Sequence, residues 1–184
     1  ENLHMHYKNI LVPFDFEAQS REALKLASQL AAAFDSAVTI VHAFDPRGYQ
    51  APSGYVTYTT SASSELAEAL QNQLNAVARS LVDACVGRVR SRLLEGEPAT
   101  TILGLAREEG FDLIVMGTHG RTGVWQKLLG SMAQQVLSEA PCPVMTIRAG
   151  VLEEQEKKAS SPVAEARSPQ AVREPSSGPR SSVN

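Results

Sequence analysis

Short apolar runs alternate with amphipathic segments between residues 8 and 148. Three of these runs are continuously apolar: NILVPF (9–14), AVTIVHAF (37–44) and FDLIVMG (111–117). Continuous apolar runs of this length are typical of parallel strands that are covered by helices on both faces. They therefore predict the central strands of an α/β sheet.

Two further runs predict the outer strands. In RVRSRLL (88–94) three arginines, at 88, 90 and 92, alternate with Val89, Ser91 and Leu93, which indicates an edge strand with one solvent-exposed face. The run PCPVMTIR (141–148) predicts the last strand, and its apolar composition would leave an apolar edge. Because such an edge invites pairing with another chain, we predict a homodimer through residues 143–148.

Amphipathic segments with the period of a helix separate these strands. The apolar face of the first comprises Ala23, Ala27, Leu30, Ala31 and Phe34. The second carries Leu66, Leu70, Leu74, Val77 and Leu81. The second helix is expected to end at Gly87. A third begins at Pro98 and ends at Gly110, and a fourth of about nine residues precedes the last strand. The alternation predicts an α/β fold with a doubly wound, five-stranded parallel sheet, Rossmann-like in its order 3-2-1-4-5, and helices on both faces.

The composition divides the chain into a folded part and a tail. With 184 residues, of which 43% are hydrophobic, the chain can form one domain with a core. We expect this domain to span residues 5–150 and residues 1–4 to be a remnant of an expression vector ahead of Met5. Residues 151–184 are rich in serine and proline and carry no aromatic residue, which predicts a disordered tail. The tail is either a solvated extension or a binding segment for a partner.

Charge and composition exclude several classes of function. The net charge of -3 argues against a broad surface for nucleic acid or anionic membranes. No apolar run is long enough to span a membrane, and the N-terminus lacks the apolar region of a signal peptide, so we expect a cytoplasmic protein. Cys85 and Cys142 lie far apart in sequence, which favours two free thiols over a disulfide framework or a zinc site. His42, within an apolar strand, is expected to be a packed histidine rather than a metal ligand.

The stretch GTHGRTGVWQKLLGS (117–131) follows a predicted central strand. Gly117 and Gly120 permit positive φ and would let backbone N–H groups converge on an anion. Gly130 and Ser131 stand at the start of the next helix, where unpaired N–H groups and the helix dipole favour a phosphate. The spacing GxxGx9G[ST] is not that of a Walker A loop, and no GxxxxGK[ST] occurs.

Ligands of doubly wound sheets bind at the carboxyl ends of strands, where the strand order reverses. The first two strands deliver Pro13, Asp15 and Ala43 to this edge. Alternatives remain open: Gly117 would only end its strand, and Ser131 and Asp15 would only cap helices. The tyrosines at 49, 55 and 58 match no fixed motif and belong either to a lid or to a surface loop.

Several of these segments resemble one family. NILVPFD, DLIVMGTHGRTG, LLGSMAQQVL and PCPVMTIR are similar to the universal stress proteins, specifically to their ATP-binding branch, over residues 6–149. The resemblance implies a triphosphate held by the glycine loop and Ser131, a ribose near Asp15 and Gly117, and adenine near Pro13 and the backbone of Ala43. It also implies a dimer through the last strand. The expected nucleotide-binding residues are Pro13, Asp15, Ala43, Gly117, Thr118, His119, Gly120, Arg121, Gly130, Ser131 and Met132.

The expected function is ATP binding, with Mg²⁺, by a stress-response protein that signals to partners. Hydrolysis should be slow, because the chain has no Walker lysine and no evident base to activate water. Two alternatives remain: a slow ATPase or autophosphorylating phosphotransferase, and a nucleotide-free interaction dimer.

Overall fold

The computed structural model describes residues 7–45, 50–51, 54–55, 60–83, 88–118, 129–148, 150–152 and 154–155. The strands are β1 (Asn9–Pro13), β2 (Ala37–Phe44), β3 (Gln50–Ala51), β4 (Gly54–Tyr55), β5 (Val89–Glu95), β6 (Leu113–Gly117) and β7 (Val144–Ile147). The helices are α1 (Ala18–Phe34), α2 (Thr60–Asp83), α3 (Pro98–Glu108) and α4 (Ser131–Glu139).

Five strands form one sheet in the order β5-β2-β1-β6-β7, and every neighbouring pair is parallel. Numbered among themselves, these strands have the order 3-2-1-4-5, so the predicted topology is confirmed. The central strand β1 is buried from Ile10 to Pro13 because it has a strand on each side and helices on each face. The chain builds outwards from β1 through β2 to β5 and then returns to β6, which places the reversal of strand order between β1 and β6.

The two faces of the sheet carry separate hydrophobic cores. On one face α1 and α2 cover the sheet, with alanines of α1 and Leu74 of α2 fully or almost fully buried. On the other face α3 and α4 pack through Ile102, Leu103 and Val136. Helices thus lie on both faces, as a doubly wound sheet requires.

The helices differ from the sequence prediction in detail. Ala23, Ala27 and Ala31 of α1 are buried, as predicted, but Leu30 and Phe34 are only half-buried, and Leu24 is buried instead. Small side chains therefore face the sheet, and the larger ones lie towards the margin of the helix. The last described residue of α2 is Asp83, and the predicted stop at Gly87 lies outside the described residues.

The strand β5 is the edge strand that its alternating pattern predicts. It pairs only with β2, and its exposure alternates from Val89 to Leu93. The exposed arginines form ion pairs: Arg92 Nη1 lies 2.6 Å from Glu109 Oε1, and Arg88 Nη2 lies 3.3 Å from Asp35 Oδ2. Such surface pairs stabilise the fold little, and the charges chiefly discourage edge-to-edge association.

The short antiparallel pair of β3 and β4 was not predicted from the sequence. It lies within residues 45–60, which the sequence suggests to be a lid or a surface loop. Strands of two residues are too short for a period of two to show in the sequence. Tyr55 lies in β4, whereas Tyr49 and Tyr58 lie outside the described residues.

The folded unit extends two residues beyond the expected boundary at position 150. Leu152 is only 6% exposed and belongs to the core beneath α1, and its backbone N–H donates to Glu22 Oε2 at 3.3 Å. Residues 153–184 form a separate unit, in which Glu154 and Gln155 are helical. The folded unit includes Val151 and Leu152 because their apolar side chains pack against the core. The sequence did not predict that these two residues belong to it, because the rest of the tail is polar.

The structure also bears on the predicted cysteines and metal sites. Cys142 is a free, half-buried thiol, and burial, together with the negative charge of Asp112, raises its pKa; Cys85 lies outside the described residues. Across the described part of the chain, no three histidine, cysteine or acidic side chains are grouped to hold a metal ion. No helix in that part is both long and apolar enough to cross a membrane.

The cap of α3 gives a test of local stability. The carboxylate of Glu97 accepts hydrogen bonds from the backbone N–H groups of Ala99 and Thr100, at 3.2 and 2.7 Å. Partial burial raises the pKa of Glu97, but the hydrogen bonds from Thr100 and Ala99 outweigh it and leave that pKa below its usual value. We expect Glu97→Ala to lower the free energy of unfolding by about 1 kcal/mol at pH 7.

Because the folded-state pKa is lowered, the contribution of Glu97 is present above its unfolded pKa and disappears as the pH falls through the folded pKa. Urea unfolding should therefore separate the variant from the wild-type protein at pH 7 more than at pH 3. Glu108→Ala, which removes an exposed carboxylate from the same helix, is the control. Equal losses in both variants would show that the cap contributes nothing.

Candidate functional site

The carboxyl ends of β1, β2 and β6 form one edge of the sheet, because β1 lies between the other two strands. Pro13 ends β1 opposite Val41, and the N–H of Phe14 still donates to the Val41 carbonyl at 2.8 Å. Ala43 lies two residues further along β2 and is half-buried. This edge, with the reversal of strand order beside it, is where ligands of such sheets bind.

The turn from β1 into α1 is fixed by hydrogen bonds within it. Asp15 Oδ1 accepts from the N–H of Glu17 at 3.1 Å, and the N–H of Asp15 donates to Ser20 Oγ at 3.3 Å. Ser20 Oγ in turn donates to the Glu17 carbonyl at 3.0 Å. The N-cap of α1 is Glu17, so the alternative in which Asp15 caps this helix is wrong. The half-buried Asp15 instead makes hydrogen bonds within the turn that precedes α1.

Phe16, in the middle of this turn, adopts a φ of 68°. This left-handed conformation is unfavourable for a bulky residue and is maintained only where the surroundings impose it. The Phe16 ring packs edge-on against Phe14 and His42, with centroids 5.2 and 5.1 Å apart. The turn therefore has one defined conformation, held by side-chain packing as well as by hydrogen bonds.

Gly117, at the end of β6, is required by a close approach. A Cβ at this position would lie 2.9 Å from Gln19 Cβ, in the first turn of α1. Gly117 does not adopt a positive φ, so the predicted reason for this glycine is wrong. The next residue also contacts α1, since Thr118 Oγ1 donates to Gln19 Oε1 at 3.4 Å. Gly117 thus does more than end its strand, because it lets α1 approach the candidate site.

The two ends of the segment between β6 and α4 are joined by a hydrogen bond. The N–H of Gly130 donates to the Thr118 carbonyl at 3.0 Å, and the N–H of Thr118 donates to Ile147 at 3.1 Å. Gly130 is the N-cap of α4, with φ -59° and ψ 151°. Ser131 is consequently the first helical residue, and the alternative in which its side chain caps the helix is wrong.

The start of α4 presents backbone donors at this edge. The first bond of the helix runs from the N–H of Gln134 to the Gly130 carbonyl at 2.9 Å. The N–H groups of Ser131, Met132 and Ala133 precede this bond and have no intrahelical partner. The Ser131 side chain is exposed, whereas Met132 is half-buried and packs against the core beside α4.

Of the predicted residues, Pro13 and Asp15 lie on the β1 side of this edge, and Gly117, Thr118, Gly130 and Ser131 on the β6 side. Ala43 lies one strand away, and Met132 lies in the first turn of α4. His119, Gly120 and Arg121 lie outside the described residues.

His42, Phe16 and Gln19 are structural contributors to this edge that the sequence does not assign to it. His42 is buried, 5% exposed, and its Nδ1 donates to the Phe14 carbonyl at 2.7 Å, so the prediction of a packed histidine is confirmed. The signal for His42 was an ionisable residue within a mainly apolar strand. The sequence offers none for Phe16, because turns with positive φ are usually recognised by glycine or asparagine.

The comparisons with known proteins agree with this architecture. Residues 6–148 match the sequence model of the universal stress protein family. A universal stress protein of Methanocaldococcus jannaschii is 34% identical over 151 residues, which cover 80% of this chain and 84% of that protein.

Two solved structures show the same fold. A universal stress protein of Lactobacillus plantarum is 25% identical, with a TM-score of 0.67, and the match covers 79% of this chain and 100% of that one. A universal stress protein solved in complex with cAMP is also 25% identical, with a TM-score of 0.55 and coverage of 79% and 99%. Since the family model spans most of the chain and the relatives match over nearly their full length, the chain belongs to the universal stress protein family.

Proposed function

We propose that this protein binds ATP, with Mg²⁺, at the edge formed by the ends of β1, β2 and β6 and the start of α4. The observation that carries the proposal is the hydrogen bond from Gly130 to Thr118. This bond joins the end of β6 to the start of α4, beside three backbone N–H groups of α4 that have no intrahelical partner. A closed backbone segment next to a helix N-terminus is suited to a polyphosphate, which accepts hydrogen bonds and carries negative charge.

The opposite side of the edge suits a nucleoside. Asp15 supplies carboxylate oxygens that can accept hydrogen bonds from ribose hydroxyls. Pro13 and Ala43 supply small apolar surfaces and backbone groups for a flat base. The relative solved with cAMP supports an adenine nucleotide as the ligand class. The predicted contacts of His119, Gly120 and Arg121 with phosphate belong to the same proposal.

The proposed role is that of a nucleotide-dependent stress-response module in the cytoplasm, which signals by the state of its ligand. Slow hydrolysis is part of the proposal, because the sequence has no Walker A lysine to stabilise charge that develops on the transferred phosphate. A protein that holds ATP rather than cutting it rapidly acts through the conformations that the ligand favours.

MgATP should raise the melting temperature of the purified protein, because a ligand that binds only the folded state stabilises it. Calorimetric titration measures the affinity directly, and mass spectrometry of the denatured protein identifies any nucleotide that co-purifies. Absence of heat at millimolar MgATP would reject the proposal. Steady release of ADP at turnover comparable to that of kinases would favour the alternative of a true ATPase.

Ser131→Pro tests the backbone donors at α4. Proline is tolerated at the first helical position, as Pro98 already shows in α3, and the extended backbone of Gly130 suits a residue that precedes proline. The substitution nevertheless removes one N–H from the proposed phosphate site. We expect MgATP to bind about tenfold more weakly than it does to Ser131→Ala, which keeps the N–H and loses only the hydroxyl.

In this comparison adenosine should bind both variants equally, because it carries no phosphate. Circular dichroism and urea unfolding establish that both variants fold. If the proline and alanine variants bind MgATP with the same affinity, the N-terminus of α4 is not the phosphate site.

We also propose a homodimer through β7, as the sequence predicts. β7 lies at an edge of the sheet, and Val144 and Met145 are only half-buried there. The carbonyls of Pro143 and Ile147 accept bonds from Ile114 of β6 and from Thr118 directly after it. The alternation along a strand therefore directs the backbone of Val144 and Thr146 outwards. A second copy of β7 could pair with these outward groups.

Thr146→Pro is designed to block this pairing without disturbing β6. It removes an outward N–H at an exposed position, which is where a strand tolerates proline. Light scattering at micromolar concentration should show a dimer for the wild type and for Thr146→Val, and a monomer for Thr146→Pro. A monomeric wild-type protein would contradict the proposed dimer.

A further inference from the structure

His42 differs from the other buried residues of β2 because its side chain bonds to a neighbouring segment of the chain. Its Nδ1 donates to the Phe14 carbonyl at 2.7 Å, and the imidazole is 5% exposed. Phe14 is the residue between Pro13 and Asp15, the two residues of the β1 end that belong to the proposed nucleotide site. His42 itself lies on β2 next to Ala43, the third residue of the base side.

Phe14 is thus held to β2 through both of its backbone polar groups. Its N–H donates to the Val41 carbonyl at 2.8 Å, and its carbonyl accepts from His42. The first bond continues the ladder between parallel strands, whereas the second depends on a side chain. The His42 imidazole therefore adds one more hydrogen bond between the chain and β2 beyond the end of β1 at Pro13.

The same imidazole also contacts the strained residue of the turn. The Phe16 ring packs edge-on against His42, and Phe16 adopts the left-handed φ of 68°. A bulky residue keeps this conformation only when its surroundings determine it, and His42 is part of those surroundings. One side chain therefore contacts both residues that flank Asp15.

We propose that His42 is the positioning residue for the nucleoside side of the site. By holding the Phe14 carbonyl and the Phe16 ring, it fixes the turn that sets Asp15 and Pro13 relative to Ala43. This inference rests on the proposed nucleotide function. It assigns the selectivity of the proposed site for base and ribose to His42, which is not among the proposed ligand contacts. The phosphate side, built on β6 and α4, does not depend on His42.

The test compares the wild type with three variants, His42→Leu, His42→Asn and Ile40→Val. Calorimetric titrations measure their binding of MgATP, adenosine and inorganic tripolyphosphate. His42→Leu removes the donor, and it should weaken binding of MgATP and adenosine about tenfold, the equivalent of one buried hydrogen bond. Binding of tripolyphosphate should stay unchanged. His42→Asn should restore most of the affinity, because its amide nitrogen can occupy the position of Nδ1.

Ile40→Val is the matched control for general destabilisation, since Ile40 is fully buried on the same strand and forms no part of the turn. It should leave all three affinities unchanged. If His42→Leu does not fold, His42→Gln replaces it; its amide is one methylene further from the backbone, so it should bind adenosine more weakly than His42→Asn.

The outcomes are distinct. Wild-type affinity for adenosine in His42→Leu overturns the inference and leaves the proposed nucleotide function standing. An equal loss for tripolyphosphate and adenosine also overturns it, because His42 would then support the whole edge rather than its nucleoside side. A wild-type protein that binds none of the three ligands rejects the proposed function, and the inference falls with it.

Discussion

The close packing of α1 on the centre of the sheet is the constraint on which the rest of the structure depends. Ala23, Ala27 and Ala31 are buried and present little side-chain volume to the sheet, which permits close packing of the helix on the strands. At the N-terminal end of α1 the same approach brings Gln19 so near the end of β6 that only glycine fits at position 117. The β1–α1 turn and the end of β6 are therefore held together by packing within the fold.

The candidate site combines two kinds of rigidity. On the β6 side it consists mainly of backbone groups, and its geometry follows from the bonds that Thr118 makes to Ile147 and Gly130. On the β1 side it depends on side chains, because Asp15, Ser20 and His42 hold a turn that includes an unfavourable φ. Backbone donors recognise charge with little regard to the rest of a ligand, whereas a shaped turn discriminates between ligands. The β6 side is therefore suited to binding an anion tightly, and the β1 side is suited to distinguishing one ligand from another.

The sequence predicted the sheet well because each main strand carries a strong local signal. The apolar runs at β1, β2 and β6 and the alternation at β5 depend only on burial, which the pattern of residues reports directly. The β3–β4 pair gave no such signal because it is too short, and the end of the folded unit at Leu152 was hidden by the polar tail that follows it. For the candidate site, the sequence pointed to the strand ends and the helix start, but its expectation of a positive φ at Gly117 is wrong. The close approach of Gln19 to Gly117, which leaves no room for a Cβ, is a contact between residues distant in sequence, and no local pattern encodes it.

The hydrogen bond between Gly130 and Thr118 has a consequence for how the sequence between these two residues can vary. Closing a loop costs entropy that grows only slowly with loop length, and most of that cost is met once the two ends are anchored. Here both ends are anchored by the fold itself, Thr118 on β7 and Gly130 on α4. Substitutions, insertions and deletions between Thr118 and Gly130 should therefore destabilise the sheet little. The sequence between these two residues can therefore diverge among related proteins while the fold of the domain stays the same.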